Sequence, residues 1–229
     1  MDFNGFESSD FEFFKRKKTM EKSEYEKKKE GLKRLFRGLC YQLQKCYHKN
    51  TDGVLILEKD FQGLNKGKDH LYARANINGI DFLGLEIDLY QEGLNINLIS
   101  PADGDYLKFE LFKNALKDKK DIFARLFKEN KSIYMTIYKR DIKKPRTGCW
   151  TEEFKFENKE LNINNLDLVV NNIEKIQPYP FDNKNIGGVK IKLNIPRPEA
   201  IKQGKTLPNK VCTEVIKMFN FCELIGGNE

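Results

Sequence analysis

Residues 70–100 read HLYARANINGIDFLGLEIDLYQEGLNINLIS, and this stretch decides the fold class. Asn78-Gly79 signals a two-residue hairpin, because both central residues of a type I′ turn need positive φ. Gln91-Glu92-Gly93 reads as a second, looser turn. Between them Leu83, Leu85, Ile87 and Leu89 alternate with Gly84, Glu86, Asp88 and Tyr90. A period of two buries one strand face and leaves the other to solvent. Leu94, Ile96 and Leu98 carry the apolar face onto a third strand, so a three-stranded meander is predicted.

Working outward, Leu32, Leu35, Phe36, Leu39, Leu43, Cys46 and Tyr47 recur at three- and four-residue spacing, which predicts an amphipathic helix of about 25 residues. Ser23-Glu24-Tyr25-Glu26 has the form of a capping box that would open it. Before it, Phe3, Phe6, Phe11, Phe13 and Phe14 predict a short helix or hook docked on the body, capped by Ser9 or Asp10. Lys15-Arg16-Lys17-Lys18 then reads as a solvated connection. Val54 to Leu57 is a candidate strand, and residues 58–69 a polar loop.

Beyond the meander, residues 106–130 read as two helical pieces broken near Asp118. Ile133, Met135 and Ile137 alternate with Tyr134, Thr136 and Tyr138, and Cys149 to Phe156 forms the return strand of a long hairpin. Residues 158–165 are loop-like, and Leu166 to Ile176 is a short helix. Val189, Ile191, Leu193 and Ile195 make a final strand with Lys190 and Lys192 outward, stopped by Pro196-Arg197-Pro198. Pro208 suits the first turn of a last helix. Strands and helices in blocks predict a single α+β domain over residues 1–229, a mostly antiparallel sheet (meander plus long hairpin) packed with several amphipathic helices.

The chain has 229 residues, 39% of them hydrophobic and 12% aromatic, enough to exclude a disordered polymer despite 33% charge. No apolar run reaches the length of a membrane-spanning helix. The acidic opening lacks the apolar core of a secretory signal. Five scattered cysteines without a CxxC point to reduced thiols, so a cytoplasmic protein is expected. The net charge is +7, and residues 15–37, with eleven Lys or Arg and four Glu, account for all of it. That local excess would attract nucleic acid, an acidic protein or another anionic surface.

Catalytic patterns are thin. Glu86 and Asp88 share a strand face, with Asn95 and Asn97 opposite, and such a pair holds a cation or divides acid and base roles. No third ligand accompanies them. Asp141 with Glu153-Phe154-Lys155 fits a metal-dependent nuclease core, but Glu157-Asn158-Lys159 fits equally, so chance accounts for the pattern. Gly63 to Asp69 is one residue short of a phosphate loop and has Asp where a metal-binding hydroxyl belongs. His48 and His70 lack nearby cysteines, so no zinc site or other cofactor is expected.

The second hairpin is the better site. Lys139, Arg140, Lys143, Lys144 and Arg146 crowd its tip, flanked by Tyr134, Tyr138 and Trp150. Cations that neutralise phosphates beside rings that stack on bases are how many proteins hold single strands. Lys33, Arg34 and Arg37 of the long helix extend the same chemistry. The bland reading is an exposed hairpin whose lysines discourage edge pairing.

The opening Asn4-Gly5-Phe6-x4-Phe11 and the long helix after it resemble the YktB-like proteins, a bacterial family without assigned activity. The order of helix, meander and Leu107–Leu126 helical segment resembles a second bacterial family, domain of unknown function 2461. The likeness covers residues 1–130 and implies a compact bacterial α+β domain. It implies no catalytic residues.

A non-enzymatic domain that binds an acidic partner, nucleic acid first, is therefore the leading expectation, with no membrane partner. The alternatives are a metal-dependent nuclease or hydrolase, and a protein–protein interaction module whose Phe-rich N-terminus meets its partner.

Overall fold

The computed structural model describes residues 2–57, 70–77, 80–100, 106–140, 150–175 and 187–226. Its helices are α1 (Ser8–Arg16), α2 (Lys22–Asn50), α3 (Tyr106–Asp118), α4 (Lys120–Glu129), α5 (Leu166–Glu174), α6 (Arg197–Gln203) and α7 (Leu207–Gly226). Its strands are β1 (His70–Ile77), β2 (Ile80–Tyr90), β3 (Gly93–Ile99), β4 (Ile133–Arg140), β5 (Trp150–Phe156) and β6 (Gly187–Pro196). They form an antiparallel sheet in the order β1-β2-β3-β6-β4-β5, and the fold is α+β. The meander and the long hairpin are both present, but β6, the last strand in sequence, lies between them. Its pairing with β3 is fixed at each end, by Ser100 N–H to Val189 O (2.9 Å) and Arg197 N–H to Glu92 O (2.7 Å).

The chain divides into two compact units, Met1–Ala75 with Glu86–Ile96 and Asn194–Lys217, and Asn76–Leu85 with Asn97–Leu193 and Met218–Glu229. In the first, the N-terminal segment is core. Phe3, Phe6, Phe11, Phe13 and Phe14 are all buried. Phe6 meets Phe3 and Phe11 edge to face at 5.1 and 5.6 Å, and Phe13 stacks on Tyr25 at 5.7 Å. The cap of α1 is Glu7, whose N–H donates to Asp10 Oδ2 at 2.8 Å, so Asp10 answers the cap rather than forming it.

Helix α2 starts at Lys22 with Glu21 at the cap, so Ser23 to Glu26 is not the opening box. Tyr25 N–H already bonds to Glu21 O (2.9 Å), and the stacking of Tyr25 on Phe13 ties that turn to α1. Lys17, predicted as part of a solvated run, is fully buried at the end of α1.

Val54 to Leu57 does not join the sheet. Val54 (66%) and Ile56 (69%) are exposed while Leu55 and Leu57 are buried. The alternation is that of a strand, but Leu55 O accepts from Gln44 Nε2 of α2 at 3.0 Å. Helix α6 begins where the prolines end β6: Pro198 fits its first turn, where a missing N–H costs nothing.

The meander needs a further correction. Glu86, Asp88, Asn95 and Asn97 are buried, so the face expected to be wet is covered as well as the apolar one. Gln91-Glu92 forms a tight two-residue connection between β2 and β3. The Asn78-Gly79 turn and the loop 58–69, with its phosphate-loop-like segment, lie outside the described residues.

In the second unit the break at Asp118 separates α3 from α4 as expected. Phe123 packs against Phe112, Phe127 and Phe221, with centroids 6.2, 6.4 and 5.0 Å away. Replacing a fully buried ring in such a cluster by a methyl group leaves a cavity that the neighbours only partly fill. Phe123→Ala should cost about 4 kcal/mol, read as a fall in the urea midpoint at unchanged slope. A loss below about 1 kcal/mol would show that this cluster is not core.

Candidate nucleic-acid interface

Strand β4 sends its two faces to different tasks. Ile133, Met135 and Ile137 are buried in the apolar core. The opposite face carries Tyr134, Thr136 and Tyr138, since side chains alternate along a strand. Pairing supplies the cations. Tyr134 lies opposite Lys192 of β6, and Thr136 lies between Lys190 of β6 and Lys155 of β5.

The ammonium of Lys192 is 5.5 Å from the Tyr134 ring centre and 4.9 Å from that of Tyr138. Lys155 lies 4.8 Å from Tyr134 and Lys190 5.7 Å from Tyr138. Attraction between each cation and the ring quadrupole holds the lysines along this face. Lys190 and Lys192 share Tyr138, so their charges are within roughly 11 Å of one another. Of the three lysines only Lys192, with 9% exposure, is buried. Lys155 also pairs with Glu157 at 2.6 Å.

Thr136 sits between the two rings and is fully buried. No hydrogen-bond partner reaches its Oγ1 among the described residues. The β4–β5 register shifts between Ile137 and Tyr138, leaving Glu153 as the extra residue of a bulge. A bulge sharpens the local twist and re-aims the strand beyond it.

Of the residues singled out from sequence, Tyr134 and Tyr138 belong to this ladder. Lys139 and Arg140 lie at the end of β4, opposite Thr151 and Trp150. The side chains of Lys139, Arg140 and Trp150 lie outside the described residues, as do Lys143, Lys144 and Arg146 and the nuclease candidate Asp141. Lys33, Arg34 and Arg37 belong to α2, in the other unit. There Lys28, Lys29 and Lys33 pair with Glu24, Glu26 and Glu30 at 3.3, 2.9 and 3.0 Å. Three of the helix's cations, Lys33 among the binding candidates, are therefore matched one turn away, in pairs each contributing a few tenths of a kcal/mol. Lys155, Lys190, Lys192 and Thr136 were not singled out as binding residues. Lys190 and Lys192 were legible as outward-facing, but nothing local in the sequence says that β6 pairs with β4.

The first unit holds a separate polar cluster. Glu86 receives a 2.6 Å bond from Arg74 Nε, and the Arg74 guanidinium lies 4.7 Å from the Tyr72 ring centre. Tyr90 donates to Asn95 Oδ1 at 3.1 Å, while Asn194 Nδ2 donates to both, at 2.6 and 3.0 Å. Burial, reinforced by the Glu92 charge, pushes the Tyr90 phenol up to about 12, so it stays protonated as a donor. The paired carboxylates considered for catalysis therefore sit on a buried strand, and Glu86 is committed to Arg74. Among the described residues, no group of three or more His, Cys, Asp or Glu could hold a metal ion.

The cysteines on the helices behave as small apolar groups: Cys40, Cys212 and Cys222 are buried. Burial, with help from Cys46, pushes the Cys212 thiol up to about 12.

The chain matches no family model, no curated protein and no solved structure.

Proposed function

We propose that the protein is a non-enzymatic cytoplasmic domain that binds an acidic partner, and that this partner is nucleic acid. The observation that carries the reading is the ladder of Lys155, Lys190 and Lys192 over Tyr134 and Tyr138. Cations along a groove or face track the backbone, and aromatic rings accept any base, so single strands are favoured over duplex. The hairpin tip, with Lys139, Arg140, Lys143, Lys144, Arg146 and Trp150, would extend the same surface. Kinship to the bacterial YktB-like and domain of unknown function 2461 families belongs to the same proposal, and Asn4-Gly5-Phe6-x4-Phe11 supports it. No helix of the described residues is long and apolar enough to cross a membrane.

Anisotropy titrations of short labelled DNA and RNA, single- and double-stranded, test this at low and near-physiological salt. Single strands should bind more tightly, with log affinity falling against log salt at a slope of at least about −2, the share of the three ladder lysines. The double variant Lys190→Ala, Lys192→Ala should make that slope shallower by about 1.4. Failure of every probe to bind at low salt would end the nucleic-acid reading. Magnesium-dependent cleavage of any probe would replace binding by hydrolysis.

A further inference from the structure

We infer that Thr136 is the seat of a backbone phosphate of single-stranded nucleic acid, its hydroxyl donating to one non-bridging oxygen while Lys190 and Lys192 balance the charge. This inference rests on the reading of the ladder as a nucleic-acid face. A buried hydroxyl without a hydrogen bond is costly in a folded protein and calls for an explanation. Among the described residues no bond reaches Thr136 Oγ1, and the residue is fully buried.

The surroundings say what kind of group would answer it. Thr136 is flanked in register by Lys190 and Lys155. Lys192 holds its ammonium about equally far from the rings on either side, 5.5 Å from Tyr134 and 4.9 Å from Tyr138. A group entering between the rings therefore meets positive charge first and a hydroxyl donor at the bottom. An acceptor with negative charge fits that order, whereas another donor does not. Lys192 is the part that must swing, and a flexible four-carbon stem with three donors can follow the phosphate as it enters.

The Lys192 ammonium stands 5.5 Å from the Tyr134 ring centre and 4.9 Å from that of Tyr138, so the two centres are at most about 10.4 Å apart. That spacing leaves room for one phosphate between two stacked bases. Commitment to a phosphodiester rather than a free anion follows from the rings: they add affinity only for a ligand that carries bases next to its phosphates.

The experiment compares wild type with Thr136→Val and Thr136→Ser on a short oligouridylate and on an abasic single strand of the same length, with a thermal melt of each protein. Valine keeps the branched shape and removes only the hydroxyl. Thr136→Val should bind roughly tenfold more weakly on both strands, as expected for a lost hydrogen bond to a charged group. Its salt slope should stay unchanged, because no cation is removed. Its melting temperature should equal or exceed that of wild type, since the hydroxyl it loses has no partner among the described residues. Thr136→Ser should bind like wild type.

Wild-type affinity in Thr136→Val, with wild-type oligouridylate binding intact, would overturn the seat and leave the binding face standing. A penalty seen on oligouridylate but absent on the abasic strand would mean that the hydroxyl reads a base and would overturn the phosphate. Absence of binding by wild type itself would remove both.

Discussion

Deleting residues 2–16 is expected to abolish cooperative folding. The deletion removes Phe3, Phe6, Phe11, Phe13 and Phe14, all of them buried. Full burial of one such ring is worth about 1.5–3 kcal/mol, so together they approach or exceed the roughly 5–15 kcal/mol that keeps a domain folded. The attachments are specific as well. Gly5 has φ +98, and a Cβ there would lie 2.9 Å from Gly204 Cα, so the hook enters with backbone against backbone. Arg197 then clamps α1, pairing with Glu12 at 2.6 Å, bonding to Ser8 and lying 5.8 Å from the Phe11 ring centre.

The hydrogen bond from Arg197, then its charge, holds the Glu12 carboxyl below its usual range. A depressed acid contributes stability that is present above its unfolded value and is lost as pH falls through the folded one. The clamp should therefore slacken in acid. The truncated chain should lose its near-ultraviolet circular dichroism and its cooperative urea transition. A truncated protein with the wild-type midpoint would show that the phenylalanines are dispensable, and would reopen the segment as a docking arm for a partner. With the rings buried, it is no free surface in this structure.

Local chemistry made much of this fold legible in advance. The alternation from Leu83 to Leu89 placed the central strand of the meander, and Asp118 marked the break between α3 and α4. What escaped was non-local. Alternating Glu86 and Asp88 look identical in a half-exposed strand and in one buried on both faces, because the pattern records polarity and not what lies above it. The pairing of β6 with β4 joins positions about fifty to sixty residues apart, from Lys139↔Gly187 to Ile133↔Leu193, and no turn signal announces it. Lys190 and Lys192 could be read as outward-facing, but their place over Tyr134 and Tyr138 depends on register alone. The candidate site was thus visible as separate ingredients, with the hairpin tip standing out because its cations are adjacent in sequence. Thr136 gave no signal at all: a threonine in a strand is ordinary, and only its lack of a side-chain hydrogen bond among the described residues distinguishes it.

Gly93→Ala should be among the most damaging single substitutions in the chain, with an expected loss of about 4 kcal/mol or more. Gly93 opens β3 at φ +145, a conformation that residues with a Cβ rarely adopt. Strain of that kind alone costs about 1–3 kcal/mol. Space makes matters worse, because the new methyl carbon would stand 2.2 Å from Ile195 O, 2.8 Å from Arg197 N and 3.0 Å from Pro196 C. All three are backbone atoms, so no side chain can rotate away and the strand end itself must move. It is pinned there by the bond from Arg197 N–H to Glu92 O (2.7 Å), and Arg197 also clamps α1. One methyl group thus strikes the junction on which both β3 and the N-terminal segment depend.

Gly31 is the matching control. It lies inside α2, and a Cβ there would meet nothing within 4 Å. Gly31→Ala should therefore stabilise by about 0.5–1 kcal/mol through helix propensity. Urea titrations of the two variants should move in opposite directions. A Gly93→Ala midpoint within error of wild type would show that β3 and the end of β6 do not approach this closely in solution.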